Sequence, residues 1–261
     1  MQLPPAIAGR RALLVVAHPG HELRVHGWLE LARPQVWVLT DGSGHGEQGR
    51  LPSTARLLAR AGATCGPLFG RFSDRDVYAL MMRGDVAAAA ELVKTLADTL
   101  VDQQVAYVAG DAYEGFNPVH DLCRLIIDAA VAAARRRSGR PIDDFEFALE
   151  GSPDWQGGGE PLGWDLDDAA LARKLAAARN YPELAAEVER ALRAHGADAF
   201  RRERMYRVEP LATVARRFDG QPAYERYGEE RVAGGLYVEV LRHRDHFAPL
   251  AAALVALCQT I

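Results

Sequence analysis

Short runs of apolar residues alternate with amphipathic stretches along the first 139 residues. The runs "ALLVV" (12–16) and "QVWVLTDG" (35–42) are typical of strands buried on both faces of a sheet. Between them, "HELRVHGWLELAR" places apolar side chains on one broad stripe, which predicts a helix. A strand, a helix and a second strand in this order predict parallel pairing with a right-handed crossover.

The same alternation continues to residue 139. The pattern predicts further elements in the order helix, weak strand, helix, strand and helix, over 53–61, 65–69, 77–100 (interrupted at Gly84 and Asp85), 105–110 and 120–137. Strands that alternate with helices predict an α/β class, Rossmann-like fold: a mostly parallel sheet with helices on both faces. In such sheets the reactive groups gather outside the carboxyl ends of the strands.

The second half of the chain has a different pattern and is richer in predicted helix. We predict strands within 145–151, 204–212 and 236–243, one or two helices over 166–196 divided at Pro182, and a closing helix over 247–259. No internal repeat or low-complexity linker separates the halves. We therefore predict one domain over 1–261, in which 1–139 carries a site and the α-rich half, 140–261, shapes substrate binding.

Composition narrows the class of protein. The chain has 261 residues, 49% hydrophobic and 25% charged, with a formal net charge of −4, so no basic surface for nucleic acid is expected. Three widely spaced cysteines indicate free thiols in a reducing compartment. The first apolar run is too short for a secretory signal, and no stretch approaches the ~20 residues of a membrane span. We expect a cytoplasmic protein without a membrane span; a homo-oligomer is left open.

Three histidines follow the ends of predicted strands. His18 ends the first strand, His21 opens the next helix, and His120 opens the helix after the strand at 105–110. Because parallel strands end at one edge of a sheet, the three imidazoles can meet there. Three imidazole ligands with one open position is the layout of a catalytic zinc site. The alternative is a turn in which the rings of His18 and His21 face solvent.

The motifs "AHPGHE" (17–22), "LTDG" (39–42) and "NPVHD" (117–121) together resemble the PIG-L/LmbE-type zinc de-N-acetylases. The resemblance implies a Rossmann-like fold, one Zn²⁺ per chain, and removal of an acetyl group from an N-acetylated sugar or sugar conjugate. Laid on this chain, the metal-ligand positions of the family are His18, His21 and His120.

The chain departs from the family pattern at four positions. The aspartate that acts as general base falls on Gly20, and a ligand aspartate falls on His21. The histidine that polarises the oxyanion falls on Asn117, and its supporting aspartate on Val119. An asparagine amide can still donate to an oxyanion, although without positive charge. These changes imply either an altered mechanism or lost catalysis.

Three carboxylates are candidates for the missing base. Glu114 precedes His120 by six residues and can fold back over a metal, so we predict a catalytic role for it. Asp111 and Asp41 follow the ends of strands and are the other two catalytic candidates. The alternative for Asp111 is a strand-end hydrogen-bond acceptor, and for Asp41 a residue that shapes a turn.

Aromatic and polar residues in loops are candidates for substrate binding. His45 lies in the Gly-rich loop "DGSGHGEQG" after the second strand, and Trp155 and Trp164 bracket a second Gly-rich loop, where a flat ring can stack on a sugar. The alternative for a loop tryptophan is simple packing.

The sequence supports two main functions. The first is a zinc-dependent amide hydrolase acting on an N-acetylated sugar. The second is a catalytically altered or inactive sugar-binding protein on the same scaffold, which the glycine at position 20 favours. A nucleotide-binding Rossmann domain is a third, weaker option because the glycine fingerprint is missing.

Overall fold

The computed structural model describes residues 2–44, 49–150, 159–211 and 220–258. These residues form a seven-stranded sheet in the order β3-β2-β1-β4-β5-β7-β6. The strands are β1 Ala12–Val16, β2 Gln35–Thr40, β3 Thr64–Phe72, β4 Tyr107–Asp111, β5 Asp143–Phe147, β6 Pro161–Asp165 and β7 Arg202–Arg207.

The helices of the described ranges are α1 His26–Ala32, α2 Leu51–Ala61, α3 Asp74–Met82, α4 Val86–Asp102, α5 Pro118–Ser138, α6 Asp168–Arg179, α7 Ala185–His195, α8 Ala223–Ala233 and α9 Ala248–Cys258. Short 3₁₀ turns cover His21–Val25, Pro182–Leu184 and Asp198–Phe200, and a π turn covers His243–Phe247. The predicted interruption at Gly84 and Asp85 separates α3 from α4, and the Asp85 side chain caps α4 by accepting the Ala88 N–H. In the described part of the chain, no helix has the length and apolar character to cross a membrane.

The sheet is mostly parallel, as predicted. Strand β1 pairs in parallel with β2 and with β4, while β3 and β5 extend the sheet in the same sense on either side. Strand β7 is antiparallel to both β5 and β6. Alternate residues of β1 enter two separate hydrophobic cores: Leu13 and Val15 lie in the core with α4, α5 and α9, and Leu14 and Val16 in the core with α1, α2 and α6. Both faces of the sheet are therefore covered by helices.

The strand predicted over 236–243 is wrong. The backbone N–H groups of Leu236 and Tyr237 donate to the carbonyl of Arg231 at the end of α8, and the Leu241 N–H donates to the Tyr78 hydroxyl. These bonds take up N–H groups that sheet pairing would need. The alternation of apolar residues there reflects a segment wrapped around a helix end, with Leu236 and Val238 exposed.

One buried carboxylate joins the late strand β7 to the first half of the chain. Glu203 is 1% exposed, and it accepts the N–H groups of Gly27 and Trp28 at the start of α1, at 2.8 and 2.9 Å. It also accepts the indole N–H of Trp164 at 3.0 Å and a bond from the Lys174 ammonium at 2.9 Å. The carboxylate thus connects β6, β7, α1 and α6.

Replacing Glu203 by glutamine removes a charge from this junction and leaves the buried Lys174 without its ion-pair partner. We expect the free energy of unfolding to fall by about 3 kcal/mol, measured by urea titration. The control is Glu189→Gln, which breaks an exposed pair with Arg193 on α7 and should change stability by less than about 0.5 kcal/mol. Equal effects of the two substitutions would contradict the assignment.

Candidate active site

Three imidazoles meet at the carboxyl ends of β1 and β4, as the topology predicts. His18 follows β1, His21 opens the 3₁₀ turn, and His120 lies in the first turn of α5. The ring centroids are 5.2 Å apart for His18 and His21, 4.9 Å for His18 and His120, and 4.6 Å for His21 and His120.

In two of these rings the Nδ1 atom lies close to side-chain oxygen atoms. His18 Nδ1 lies 2.7 Å from the Thr40 hydroxyl and 2.9 Å from Asp74 Oδ1, and His21 Nδ1 lies 3.0 Å from Asp111 Oδ2. A carboxylate on one imidazole nitrogen fixes the ring and its tautomer, an arrangement common for histidines that bind metals. In both rings Nε2 is then the nitrogen with the free electron pair.

The electrostatics of the cluster favour the neutral forms of His21 and His120. Burial lowers the pKa of His21 well below its ordinary value, and the neighbouring His18 and Arg50 lower it further. Burial, followed by the other two rings, likewise lowers the pKa of His120. Burial alone would raise the pKa of Asp74, but hydrogen bonds from His18 and Thr40 bring it below its ordinary range. At neutral pH the site therefore contains neutral His21 and His120 rings beside an ionised Asp74.

One imidazole nitrogen of the cluster has no hydrogen-bond partner among the described residues. His120 Nδ1 is buried and makes no hydrogen bond within the described residues. A buried imidazole nitrogen without a partner suits an electron-pair acceptor such as a divalent cation. However, in the ranges that the structure describes, no group of three His, Cys, Asp or Glu side chains is arranged so that it could hold a metal ion as it stands. The residues fit a metal in their chemistry and placement, but their donor atoms do not yet converge.

The three imidazoles line a cavity of about 1140 Å³. Arg24, Arg50, Asp74 and Asn117 also line it, and we call these four residues and the three histidines the floor of the cavity. Arg24 donates to the Leu149 carbonyl, and Arg50 Nε donates to the Gly42 carbonyl at 2.8 Å. Hydrogen-bond donors and acceptors are thus concentrated around the rings.

Two of the four predicted catalytic residues lie next to the imidazoles. Asp111 is fully buried and accepts both the Ala17 N–H, at 2.7 Å, and the His21 bond, and burial raises its pKa to about 6. Asn117 caps α5 by accepting the Val119 N–H at 2.9 Å, and it lines the cavity three residues before His120.

The other two catalytic candidates are engaged by backbone groups. Glu114 accepts the N–H groups of Leu149 and Glu150 at 3.1 and 3.3 Å, and burial raises its pKa to about 7. Asp41 Oδ1 accepts the Ser43 N–H at 2.9 Å, which is the turn-shaping alternative. Neither side chain is among the described residues that line the cavity, and their catalytic roles stay predictions.

Of the three candidates for substrate binding, Trp164 is not brought to the cavity. Trp164 is 6% exposed, packs in the core with α1, α2 and α6, and donates its indole N–H to Glu203. This placement corresponds to the packing alternative. His45 and Trp155 lie outside the described residues.

Gly20 has a backbone that only glycine adopts without strain. Its φ of 107° and ψ of −20° fall in the left-handed region, and a Cβ at this position would lie 2.4 Å from Leu184 Cδ1. Leu184 belongs to the turn between α6 and α7, which Tyr181 fixes by a 2.8 Å bond between its hydroxyl and that of Thr54. The space beside Gly20 is therefore filled by an apolar side chain from the second half of the chain.

Several residues of the site were not predicted. Thr40 and Asp74 hold His18, and Arg24 and Arg50 line the floor. Thr40 and Asp74 could have been found from the rule used for the histidines, because Thr40 ends β2 and Asp74 follows β3 closely. The contribution of Leu184 has no signal in the sequence, since it depends on how the α6–α7 hairpin folds over the site.

No family model matches this chain, and no curated protein matches it. Solved structures do. A deacetylase triple mutant of the teicoplanin biosynthetic pathway matches with a TM-score of 0.52 at 14% identity, over 76% of this chain and 97% of that chain. The A40926 pseudoaglycone deacetylase Dbv21 matches with a TM-score of 0.52 at 20% identity, over 77% of this chain and 98% of that chain.

A conserved protein from Thermus thermophilus matches with a TM-score of 0.50 at 21% identity, over 76% of this chain and 94% of that chain. All three identities are low, so the likeness concerns the fold. This chain has the α/β fold of those deacetylases.

Proposed function

We propose that this protein is a zinc-dependent hydrolase that removes an acetyl group from an N-acetylated sugar conjugate. The observation that supports the proposal is the meeting of His18, His21 and His120 at the floor of a large cavity, in a chain with the fold of deacetylases. Imidazole nitrogen is a preferred zinc ligand, and the three rings would hold the ion. When bound, zinc supplies Lewis acidity toward an amide carbonyl and toward water.

The residues around the rings keep them in the form that binds a metal. Asp111 accepts the Nδ1–H of His21, and Thr40 accepts that of His18, while Asp74 Oδ1 lies 2.9 Å from the same His18 nitrogen. Because these partners fix the tautomers, no proton has to leave Nε2 before a cation binds.

Asn117, Arg24 and Arg50 supply hydrogen-bond donors to the substrate. The side-chain oxygen of Asn117 is occupied by the Val119 N–H, so its amide NH₂ is the group free to donate. We assign this amide to the carbonyl oxygen of the substrate as negative charge develops there. The two guanidinium groups line the same floor and can bind the hydroxyl oxygens of a sugar.

A sugar-binding protein without hydrolytic activity is the second candidate. This candidate is favoured by the proximity of Leu184 to Gly20. An apolar side chain fills the space in which the PIG-L/LmbE-type de-N-acetylases have their general base. The two functions share the fold and the ligand class, and they differ in whether an amine is released from the bound sugar.

Metal content tests the role of the imidazoles. We expect full-length wild-type protein, purified without added zinc, to contain about one zinc per chain, and His120→Ala to contain less than about a tenth of that, because one of three ligands is lost. Plasma emission spectroscopy measures both. His195→Ala, on the exposed end of α7, is the matched control and should keep the wild-type content. Equal and negligible metal in all three proteins would exclude the zinc site.

Release of a primary amine separates hydrolysis from binding. We expect the zinc-loaded protein to generate fluorescamine-reactive amine from N-acetylglucosaminides, and His120→Ala to lose at least about a hundredfold in rate, because the Lewis acid is lost. Saturable binding of the same sugars without any amine would instead favour the binding protein.

The pH dependence of the stability of Glu114→Gln tests whether the pKa of the Glu114 carboxyl is raised in the folded protein. Burial raises its pKa from 4.5 to about 7, so the folded protein holds a proton that the unfolded chain releases above pH 4.5. This group therefore lowers the free energy of unfolding as pH rises from about 4.5 to about 7, by on the order of 3 kcal/mol. We expect glutamine to remove that pH dependence. In urea titrations, the free energy of unfolding of the variant should therefore rise relative to that of wild type between pH 4.5 and pH 8.

Parallel stability curves for Glu114→Gln and wild type would contradict the raised pKa. The same variant addresses the predicted catalytic role. If the carboxyl transfers a proton in the reaction, its amide should reduce amine release at least about a hundredfold at every pH. If the carboxyl only holds the backbone of Leu149 and Glu150, the loss should be small.

A further inference from the structure

We propose that a second cavity, at the opposite edge of the sheet from the imidazoles, binds the phosphoryl group of a small-molecule ligand. This cavity has a volume of about 480 Å³, and its lining includes Arg10, Arg11, Arg33, Gln35 and Thr64. Arg11 immediately precedes β1, while Gln35 and Thr64 are the first residues of β2 and β3. No residue of the floor described above lines the second cavity, so the inference goes beyond the proposed function.

The charged side chains that line the second cavity are all positive. Arg10, Arg11 and Arg33 line it, and no aspartate or glutamate of the described residues does. Arg10 already has a partner, since its Nη1 lies 2.7 Å from Asp143 Oδ2. Arg11 and Arg33 form no ion pair with a described residue, although the chain has a net charge of −4. Two guanidinium charges are therefore available to a bound anion.

Both of these guanidinium groups are positioned by the backbone. Arg11 Nη1 donates to the Gln103 carbonyl, just after α4, at 2.5 Å. The side chain of Arg33 lies along Gly62, where a Cβ would come within 3.3 Å of its Cδ and Nε atoms. A guanidinium carries five N–H groups, so each arginine keeps most of its donors for a ligand. The planar fork of N–H groups matches the oxygen atoms of a phosphoryl group.

Neutral donors accompany the two arginines. The side-chain oxygen of Gln35 accepts the indole N–H of Trp37 at 2.9 Å, so its amide NH₂ is the group left to donate. Thr64 also lines the cavity, and its hydroxyl is a further donor. An oxyanion needs such a concentration of donors, because each of its oxygen atoms accepts more than one hydrogen bond.

The alternative is that the arginines serve only the carboxyl ends of α1 and α4. Basic side chains stabilise a helix end by donating to its last carbonyl groups. The bond from Arg11 to Gln103 fits this alternative. Arg33 does not fit it, because none of its side-chain N–H groups donates to a carbonyl of the described residues. Arg33 is therefore the residue that distinguishes a ligand site from helix capping.

The second cavity has room for more than a phosphoryl group. Its volume lies within the range of about 300–1,000 Å³ that is typical of small-molecule sites. Leu3, Ile7 and Leu31 line it together with the polar residues, and Leu31 is 43% exposed. The phosphoryl group thus belongs either to free phosphate or to a phosphate monoester whose organic group contacts these apolar side chains.

Calorimetric titration of the full-length protein with inorganic phosphate, at constant ionic strength, tests the inference. We expect saturable binding, and Arg33→Gln should weaken it at least about tenfold because charge-assisted hydrogen bonds are lost. Arg190→Gln is the matched control, since it removes the same charge from an exposed position on α7 that lines neither cavity. This control should bind phosphate as wild type does. Thermal melting checks that both variants are folded.

His120→Ala separates the second cavity from the imidazoles. We expect this variant to keep the wild-type affinity for phosphate, because His120 lies at the other edge of the sheet. Loss of binding in His120→Ala with unchanged binding in Arg33→Gln would place the phosphate at the floor and overturn the inference. An absence of binding to wild type would overturn it too, as would equal weakening by Arg33→Gln and Arg190→Gln, which indicates a response to net charge alone.

A parallel titration with phenyl phosphate identifies the source of the phosphoryl group. If phenyl phosphate binds at least about tenfold more tightly than phosphate, and Arg33→Gln weakens both, the ligand is a monoester whose organic group leaves water for the apolar side chains. Equal or weaker binding of phenyl phosphate, with the same effect of Arg33→Gln, supports free phosphate as the ligand. Neither measurement depends on bound zinc or on amine release, so the inference and the proposed function fail separately.

Discussion

The carboxylate of Asp111 is the contact on which the site depends. It lies at the end of β4, and one oxygen accepts both the Ala17 N–H at the end of β1 and the bond from His21. This single atom therefore ties together the ends of two parallel strands and orients one imidazole relative to them. The fully buried position keeps water from competing for these bonds, so the geometry is set by the protein alone.

The order of strands explains why distant residues meet. Strand β1 lies between β2 and β4, so its carboxyl end is the centre of the edge where His18, Thr40 and His120 gather. Later strands extend the sheet away from this point without disturbing it. The junction at Glu203 then fastens the late strands and α6 to the start of α1. The fold thus places a rigid floor under loops and helices that come from the second half of the chain.

Sequence patterns were sufficient to predict the features that depend on the periodicity of strands and helices. The parallel sheet, its covered faces and the meeting of His18, His21 and His120 all follow from the alternation of apolar runs and helices. The strand-end rule extends to Thr40 and Asp74, but the pattern alone does not show that these side chains reach His18. Asp74 lies in the first turn of α3, where an acidic residue is equally well explained by its position at a helix start.

The second half of the chain was the least predictable part. The apolar alternation around Leu236 is compatible with a strand, and only the tertiary hydrogen bonds to the end of α8 decide against it. The apolar side of α7 looks like any core-facing helix in sequence, whereas it lines a cavity in the structure. Trp164 illustrates the converse, because a tryptophan that was a candidate for sugar binding beside a loop is buried on a strand instead.

The contact between Gly20 and Leu184 has a consequence for how this protein can evolve. A carboxylate at position 20 requires both a side chain on a left-handed backbone and a shift of the Leu184 side chain, whose Cδ1 would lie 2.4 Å from the new Cβ. Either change alone carries a cost: a strained residue pressed against Leu184 in one order, or an opened gap beside the imidazoles in the other. The backbone at position 20 and the side chain at position 184 are therefore coupled in any substitution that introduces a carboxylate here. Any proton transfer at this site must therefore use the side chains that already surround His18, His21 and His120.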